Sequence, residues 1–196
     1  MSATPGRRER KKAATRQALA DAALNLFLER GYDHVTIREI ADAVDVSTTT
    51  LLKYFPSKEA LVFDEDAEQE TRLIAAVLDR PEGTSIPQAL CAHLKQDRLG
   101  AGGSNPRFAD FVRLVNSTPA LAQYAQRMWM RHEDALAHAI SRAAGAAPGD
   151  YRPAALAHFA LEAAAFAQRA ADPRRAADAA FALLEHGWTA TPARRP

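Results

Sequence analysis

Apolar residues recur at three- and four-residue intervals along nearly the whole chain, and no segment alternates as a half-buried strand would. The first run extends from about Lys12 to Arg30, with Leu19, Ala22, Ala23, Leu26 and Phe27 on one face. Gly31 is placed to end it in a left-handed conformation. A second run begins at Thr36, where Glu39 completes a capping box and Val35 with Ile40 forms a hydrophobic staple. Ile37, Ile40, Ala41 and Val44 give it a buried face, and Asp45 occupies the following turn, where left-handed backbone suits Asp better than most residues. Ser47 caps a third helix of two turns with Leu51 and Phe55 inward, and Pro56 stops it by disfavouring helical geometry at the residue before it.

The same period continues. A long fourth helix is expected from Ser57 to about Leu78, buried at Leu61, Ile74, Val77 and Leu78, with an acidic, solvated or domain-facing middle from Asp64 to Glu70. Arg80 to Gly83 breaks the chain. Ser85 with Gln88 opens a fifth helix to about Leu99, and Gly100 to Ser104 reads as flexible. Asn105-Pro106 opens a sixth helix with Phe108, Phe111, Val112 and Val115 inward, and Thr118-Pro119 opens a long seventh ending near Gly145. After a loop to about Arg152, an eighth helix reaches Ala171, and Asp172-Pro173 opens a ninth ending at Gly187. The expected fold class is all-α, with about nine helices. Residues 1–10 form a disordered basic arm and residues 11–58 an N-terminal three-helix helix-turn-helix domain. A long helix joins it to a C-terminal helical ligand-binding and dimerisation domain, 59–188, followed by a disordered tail, 189–196.

Composition narrows the function. With 47% hydrophobic residues the 196-residue chain can bury a core, and a net charge of +1 excludes a polycation that coats nucleic acid. Positive charge is local: Arg7, Arg8, Arg10, Lys11, Lys12 and Arg16 stand against Glu9 alone, either as a solvated tail or as phosphate and minor-groove contacts. The single cysteine, Cys91, excludes an internal disulfide and fits a reducing cytosol. No apolar run approaches the ~20 residues needed to span a bilayer, so a cytoplasmic protein without a membrane partner is expected.

A two-helix DNA reader lays the start of its second helix in the major groove. With Leu51 and Phe55 buried, that helix turns Thr48, Thr49, Leu52 and Lys53 outward. The threonines and the leucine can pack on thymine methyls, and Lys53 can take a guanine edge or a phosphate. Tyr54 and Lys58 lie where the backbone would pass, and the helix start at Thr36 offers N–H groups to a phosphate. A helical hairpin of pure packing would not need Thr48, Thr49 and Thr50, three weak helix formers in a row.

These residues carry a family likeness. Thr15 to Leu61 resembles the N-terminal domain of TetR-family transcriptional regulators in Ala22-Ala23, Leu26-Phe27, Gly31-Tyr32, Thr36-Ile37, Ile40-Ala41, Val46-Ser47, Thr50-Leu51, Tyr54-Phe55 and Ser57-Lys58-Glu59. The resemblance implies DNA contacts at Thr36, Ser47, Thr48, Thr50, Tyr54 and Lys58. The chain departs from the family at Asp45, where glycine is common, at Thr49, where a small residue is frequent, and at Leu52, where a tyrosine is usual. With Arg16, Thr49, Leu52 and Lys53 from the residues themselves, these make up the candidate DNA-binding set.

In the seventh helix Leu121, Ala125, Met128, His132, Ala135, Leu136 and Ile140 form an inward stripe edged by Tyr124 and Trp129. Phe108, Phe111, Met128, Trp129, His132, Phe159 and Phe166 can line an apolar ligand pocket; filling a core is the commoner use of such residues. His93, His138, His158 and His186 lack metal-ligand spacing, so no metal and no cofactor are expected. No nucleophile–base pair suggests an enzyme. In the last two helices Leu156, Ala160, Ala163, Ala167, Ala177, Phe181 and Leu184 form a face of mostly small residues, and the resemblance implies that these helices pair with their twofold mates in a four-helix homodimer interface. The expected function is sequence-specific transcriptional regulation: a dimeric repressor on double-stranded DNA with a pseudo-palindromic operator, released by a small apolar effector. The alternative is a DNA-binding interaction protein controlled by a protein partner or by no effector.

Overall fold

The computed structural model describes residues 6–97 and 106–187, and of residues 106–109 the backbone. Nine α-helices and no strands occur among the described residues: α1 (Arg7–Arg30), α2 (Ile37–Ala43), α3 (Thr48–Tyr54), α4 (Asp66–Leu78), α5 (Ile86–Asp97), α6 (Pro106–Ser117), α7 (Pro119–Ala144), α8 (Arg152–Arg169) and α9 (Pro173–His186). The expectations for residues 1–5, for the loop and cap at 98–105 and for the tail 189–196 lie outside the described residues.

The local signals act as expected. Gly31 ends α1 with φ 84° while its N–H donates to the Phe27 carbonyl. At α2 the Glu39 N–H donates to Thr36 Oγ1 (3.2 Å) and the Thr36 N–H to Glu39 Oε2 (2.8 Å), a complete capping box. Asp45 takes φ 53° in the turn, Ser47 Oγ accepts the Thr50 N–H at 3.1 Å, and Ser85 with Gln88 caps α5 reciprocally.

Three expectations change. α1 begins at Arg7, so Arg7 to Arg10, assigned to a disordered arm, are helical. Arginine and lysine are good helix formers, and Glu9 in the first turn complements the helix dipole. The fourth helix does not start at Ser57: a turn of 3-10 helix at Glu59–Leu61 and a bend precede α4. Leu61 and Val62 are buried, and Phe63 stacks on Tyr124 with ring centroids 5.2 Å apart. Three consecutive residues of an α-helix fan over about 200°, so one continuous helix cannot bury all three on one side. In α6, Val112 is exposed and Leu114 is buried instead, because Phe111, Leu114 and Val115 themselves share the i, i+3, i+4 face.

The chain divides into two compact units, residues 1–67 with 104–127 and residues 68–103 with 128–196. The first core gathers Leu19, Ala23, Phe27, Ile40, Leu51, Phe55 and Leu61 with Leu114, Val115 and Leu121, so α6 and the start of α7 pack with the helix-turn-helix rather than with a second domain. The second core contains Val77, Leu90, Leu94, Leu136, Ile140 and Phe181, interleaved with Ala157, Ala160, Ala167 and Ala177. There α8 packs on α9 and α9 on α5. Small residues let these helices approach within one chain, so Ala160, Ala167, Ala177 and Phe181, expected at a dimer interface, are buried inside the protomer. Leu156, Ala163 and Leu184 are half-buried in the same core.

Candidate nucleic-acid interface and interior cavity

In the first unit α2 and α3 are both seven residues long, joined by the strained turn at Asp45. Burial of Leu51 and Phe55 fixes the rotation of α3 and turns Thr48, Thr49, Leu52 and Lys53 to solvent. Leu52 is an exposed large hydrophobic side chain on this face. Ser47 is exposed and Thr50 half-buried, with their hydroxyls 2.8 Å apart, and Tyr54 is half-buried.

The other candidate residues are held within the protein. Arg16 is half-buried: Nη1 donates to the Tyr54 carbonyl at 3.1 Å, Nη2 to the Asp64 carbonyl, and the guanidinium lies 4.5 Å from the Phe55 ring centroid. It therefore holds the end of α3 against α1 and the segment before α4. Lys58 is likewise enclosed. Its Nζ donates to the Tyr32 carbonyl and sits 4.0 Å from the Tyr32 ring centroid and 5.4 Å from that of Phe27. Burial pushes the Lys58 ammonium below its ordinary range, opposed by the nearby carboxylates of Asp33, Glu59 and Glu39. The Tyr32 hydroxyl donates to Glu59 Oε1 at 2.9 Å, and burial followed by this carboxylate raises its pKa. Thr36 is exposed, but its amide and hydroxyl are both bonded to Glu39. Hydrogen bonds from the Thr36 backbone and side chain, then from Arg30, lower the Glu39 pKa to about 2.

The second unit contains a cavity of about 40 Å³. Its apolar wall includes Leu73 of α4, Leu90 and Leu94 of α5, Trp129 and Leu136 of α7, Leu161 of α8 and Phe181 of α9. Gln69, His93, Asp97 and His132 supply its polar atoms. Of the expected pocket residues, Trp129 and His132 line it, and His132 is buried with Nε2 3.8 Å from Glu70 Oε2. Met128 is half-buried outside the lining. Phe111 meets Phe63 edge-on in the first unit, with centroids 5.9 Å apart. The side chain of Phe108 lies outside the described residues. Phe159 and Phe166 are 55% and 54% exposed, so both point away from any interior site. They lie seven residues apart, on the α8 face opposite the buried alanines, and Leu183 of α9 is exposed as well. The alanine spacing marks the face of α8 that is buried within the protomer, and the phenylalanine pair marks the exposed one. The lining from α4 and α5 was missed because contacts between distant helices leave no local pattern.

No group of His, Cys, Asp and Glu able to hold a metal ion occurs among the described residues, and no helix there is long and apolar enough to cross a membrane.

Comparison with known proteins adds the family. Residues 19–64 match the model of bacterial regulatory proteins, tetR family. The chain is similar to the HTH-type transcriptional regulator TcmR of Streptomyces glaucescens, 34% identical over 76% of this chain and 69% of that protein. Its fold is similar to that of Thermus thermophilus FadR, a TetR-family transcriptional repressor solved in complex with lauroyl-CoA, with TM-score 0.52, 25% identity and coverage of 92% and 98%. It also matches Pseudomonas aeruginosa NalD, the secondary repressor of the MexAB-OprM multidrug efflux pump, with TM-score 0.59, 18% identity and coverage of 91% and 97%.

Proposed function

Given that the chain belongs to the tetR family of bacterial regulatory proteins and is a DNA-binding transcriptional regulator, not an enzyme, we propose that it is a cytoplasmic homodimeric repressor released from a pseudo-palindromic operator by a small, largely apolar effector. The cavity in the second unit carries this reading. A largely apolar pocket with a few polar groups is the usual form of a small-molecule site. The lauroyl-CoA in Thermus thermophilus FadR supports it from a relative. The alternative, control by a protein partner or by no effector, calls for a filled second core, and the cavity weighs against it.

Thr48, Thr49, Leu52 and Lys53 of α3 enter the major groove, with Thr36, Ser47, Thr50 and Tyr54 toward the sugar–phosphate backbone. Arg16 and Lys58 hold the reader in shape from within. A single seven-residue helix reads only a few base pairs, so two half-sites are needed for specificity. The exposed Phe159, Phe166 and Leu183 supply an apolar face for the second copy, since α8 and α9 spend their small residues on each other. At about 40 Å³ the cavity has room for no more than a few waters, so an effector must spread its walls. α4 and α7, which each contribute residues to both units, transmit that displacement. Only a ligand that favours the spread state shifts the equilibrium, and a coupling of about 1–3 kcal/mol suffices.

The test uses DNA duplexes that the full-length protein enriches from a random-sequence pool. Against a panel of small apolar molecules, at least one is expected to weaken binding by roughly 5–150-fold. In Ala164→Leu, which fills the cavity, DNA binding should persist and release should be lost. Affinity indifferent to the whole panel, or release undiminished in the filled variant, overturns the proposal.

A further inference from the structure

The cavity wall carries Gln69, His93, Asp97 and His132 among its apolar residues. On α4 Gln69 precedes Leu73, on α5 Asp97 follows Leu90 and Leu94, and on α7 His132 precedes Leu136. Three contacts gather the polar members: Arg72 Nε to Asp97 Oδ1 at 2.9 Å, Arg131 Nε to Glu70 Oε2 at 3.5 Å, and His132 Nε2 to the same Glu70 oxygen at 3.8 Å. These pairs are lopsided. The arginine side chains are 43% and 50% exposed, whereas those of Asp97 and Glu70 are 20% and 27% exposed. Asp97 lines the cavity at its rim, and Glu70, outside the lining, stands against buried His132.

A carboxylate offers about four lone-pair sites, so one arginine contact leaves accepting capacity on each. A ligand head that donates a hydrogen bond meets charge-assisted acceptors there, while a carboxylate or phosphate head would have to draw Arg72 and Arg131 away from the carboxylates they already pair with. We infer that the effector is a compact apolar molecule ending in a hydrogen-bond donor, a hydroxyl or a protonated amine, with that head toward Glu70 and Asp97 and its body among Leu73, Leu90, Leu136 and Phe181. The inference rests on the cavity being the effector site proposed above. It separates this chain from the acyl-CoA-bound FadR, whose ligand carries phosphates.

The experiment measures binding of five probes to the full-length protein by calorimetry: 4-propylphenol, 3-phenylpropylamine, propylbenzene, 3-phenylpropionate and lauroyl-CoA. Trp129 fluorescence in a Trp188→Phe background reports occupancy of the cavity itself. Either the phenol or the amine should bind at least about ten-fold more tightly than propylbenzene, and whichever leads identifies the head as hydroxyl or ammonium. The propionate should gain nothing over propylbenzene. In Glu70→Gln/Asp97→Asn the advantage of the donor should fall to within roughly three-fold of the propionate. Asp97→Asn alone, expected to move the ranking part of the way, serves if the double variant does not fold. Propionate or lauroyl-CoA binding as tightly as the donors, no probe binding, or a ranking unchanged in both variants overturns the inference. Release of DNA by lauroyl-CoA alone would sink it while leaving the repressor reading intact. A donor probe that occupies the cavity without weakening DNA binding would do the reverse.

Discussion

The two units solve the packing problem differently. The first builds its core on rings: Phe27 and Tyr32 with centroids 5.1 Å apart, Phe63 stacked on Tyr124, and Phe55 under the Arg16 guanidinium. Its cations are fixed onto those rings, and its short helices are capped at both N-termini. The second unit builds on leucine and alanine, leaves a cavity, and turns Phe159 and Phe166 outward. Large planar side chains with hydrogen-bonded neighbours define one arrangement; aliphatic walls around a void can shift at small cost. A DNA-binding surface profits from the first kind of core, and the effector site proposed above would profit from the second.

Several measurements would break or sharpen that contrast. Phe55→Ala should cost about 3–5 kcal/mol in thermal or denaturant unfolding and abolish DNA binding, because the side chain is wholly buried under Arg16. Leu136→Ala, equally buried but at the wall of a void, should cost only about 2–3 kcal/mol, since its surroundings can relax. Equal losses at the two sites would erase the distinction. Next in size, Phe159→Asp with Phe166→Asp should convert a dimer to monomers in sedimentation while leaving the melting temperature of the protomer nearly unchanged; a persistent dimer would place the interface elsewhere. Lys53→Ala should lower the salt slope of DNA binding by about one, whereas Lys58→Ala should leave the slope unchanged and reduce stability. The opposite pattern would exchange their roles. Asp45→Gly should raise stability by about 0.5–1 kcal/mol, the relief of a side chain at φ 53° net of the freer unfolded backbone. The smallest effect concerns acid. Glu39 ordinarily titrates near 4.5 and is held at about 2 in the fold, so its contribution is present above pH 4.5 and is lost as pH falls toward 2. Glu39→Gln should therefore flatten the stability profile over that window, and an unchanged profile would show the capping box to be energetically silent.

Features set by neighbours in the chain were legible in the sequence. Thr36 with Glu39, Asp45, Ser47 and Ser85 with Gln88 each act over no more than three residues, and each does in the fold what its spacing announces. The outward residues of α3 followed from the burial of Leu51 and Phe55. What escaped was set at a distance. The start of α4 depends on a segment whose Asp64 carbonyl is held by Arg16, 48 residues earlier, and the enclosure of Lys58 depends on Tyr32, 26 residues earlier. On α8, a stripe of alanines shows that a close neighbour exists, not whether it belongs to the same chain, and in the fold α9 of the same chain is that neighbour. For the cavity, two aromatic-stripe residues were found and the α4 and α5 walls were not, since helical periodicity says which face is inward and nothing about what it faces.

The first unit is discontinuous in the chain, completed by residues 104–127 after an excursion of the chain through 68–103. During synthesis at about 5–20 residues per second, Leu114, Val115 and Leu121 are made roughly 3–12 s after Leu61 of the helix-turn-helix core. Until then a nascent reader exposes apolar surface and lacks part of its own core. The DNA reader thus completes its core only once residues 104–127 have been translated, roughly 40 residues after the helix-turn-helix itself.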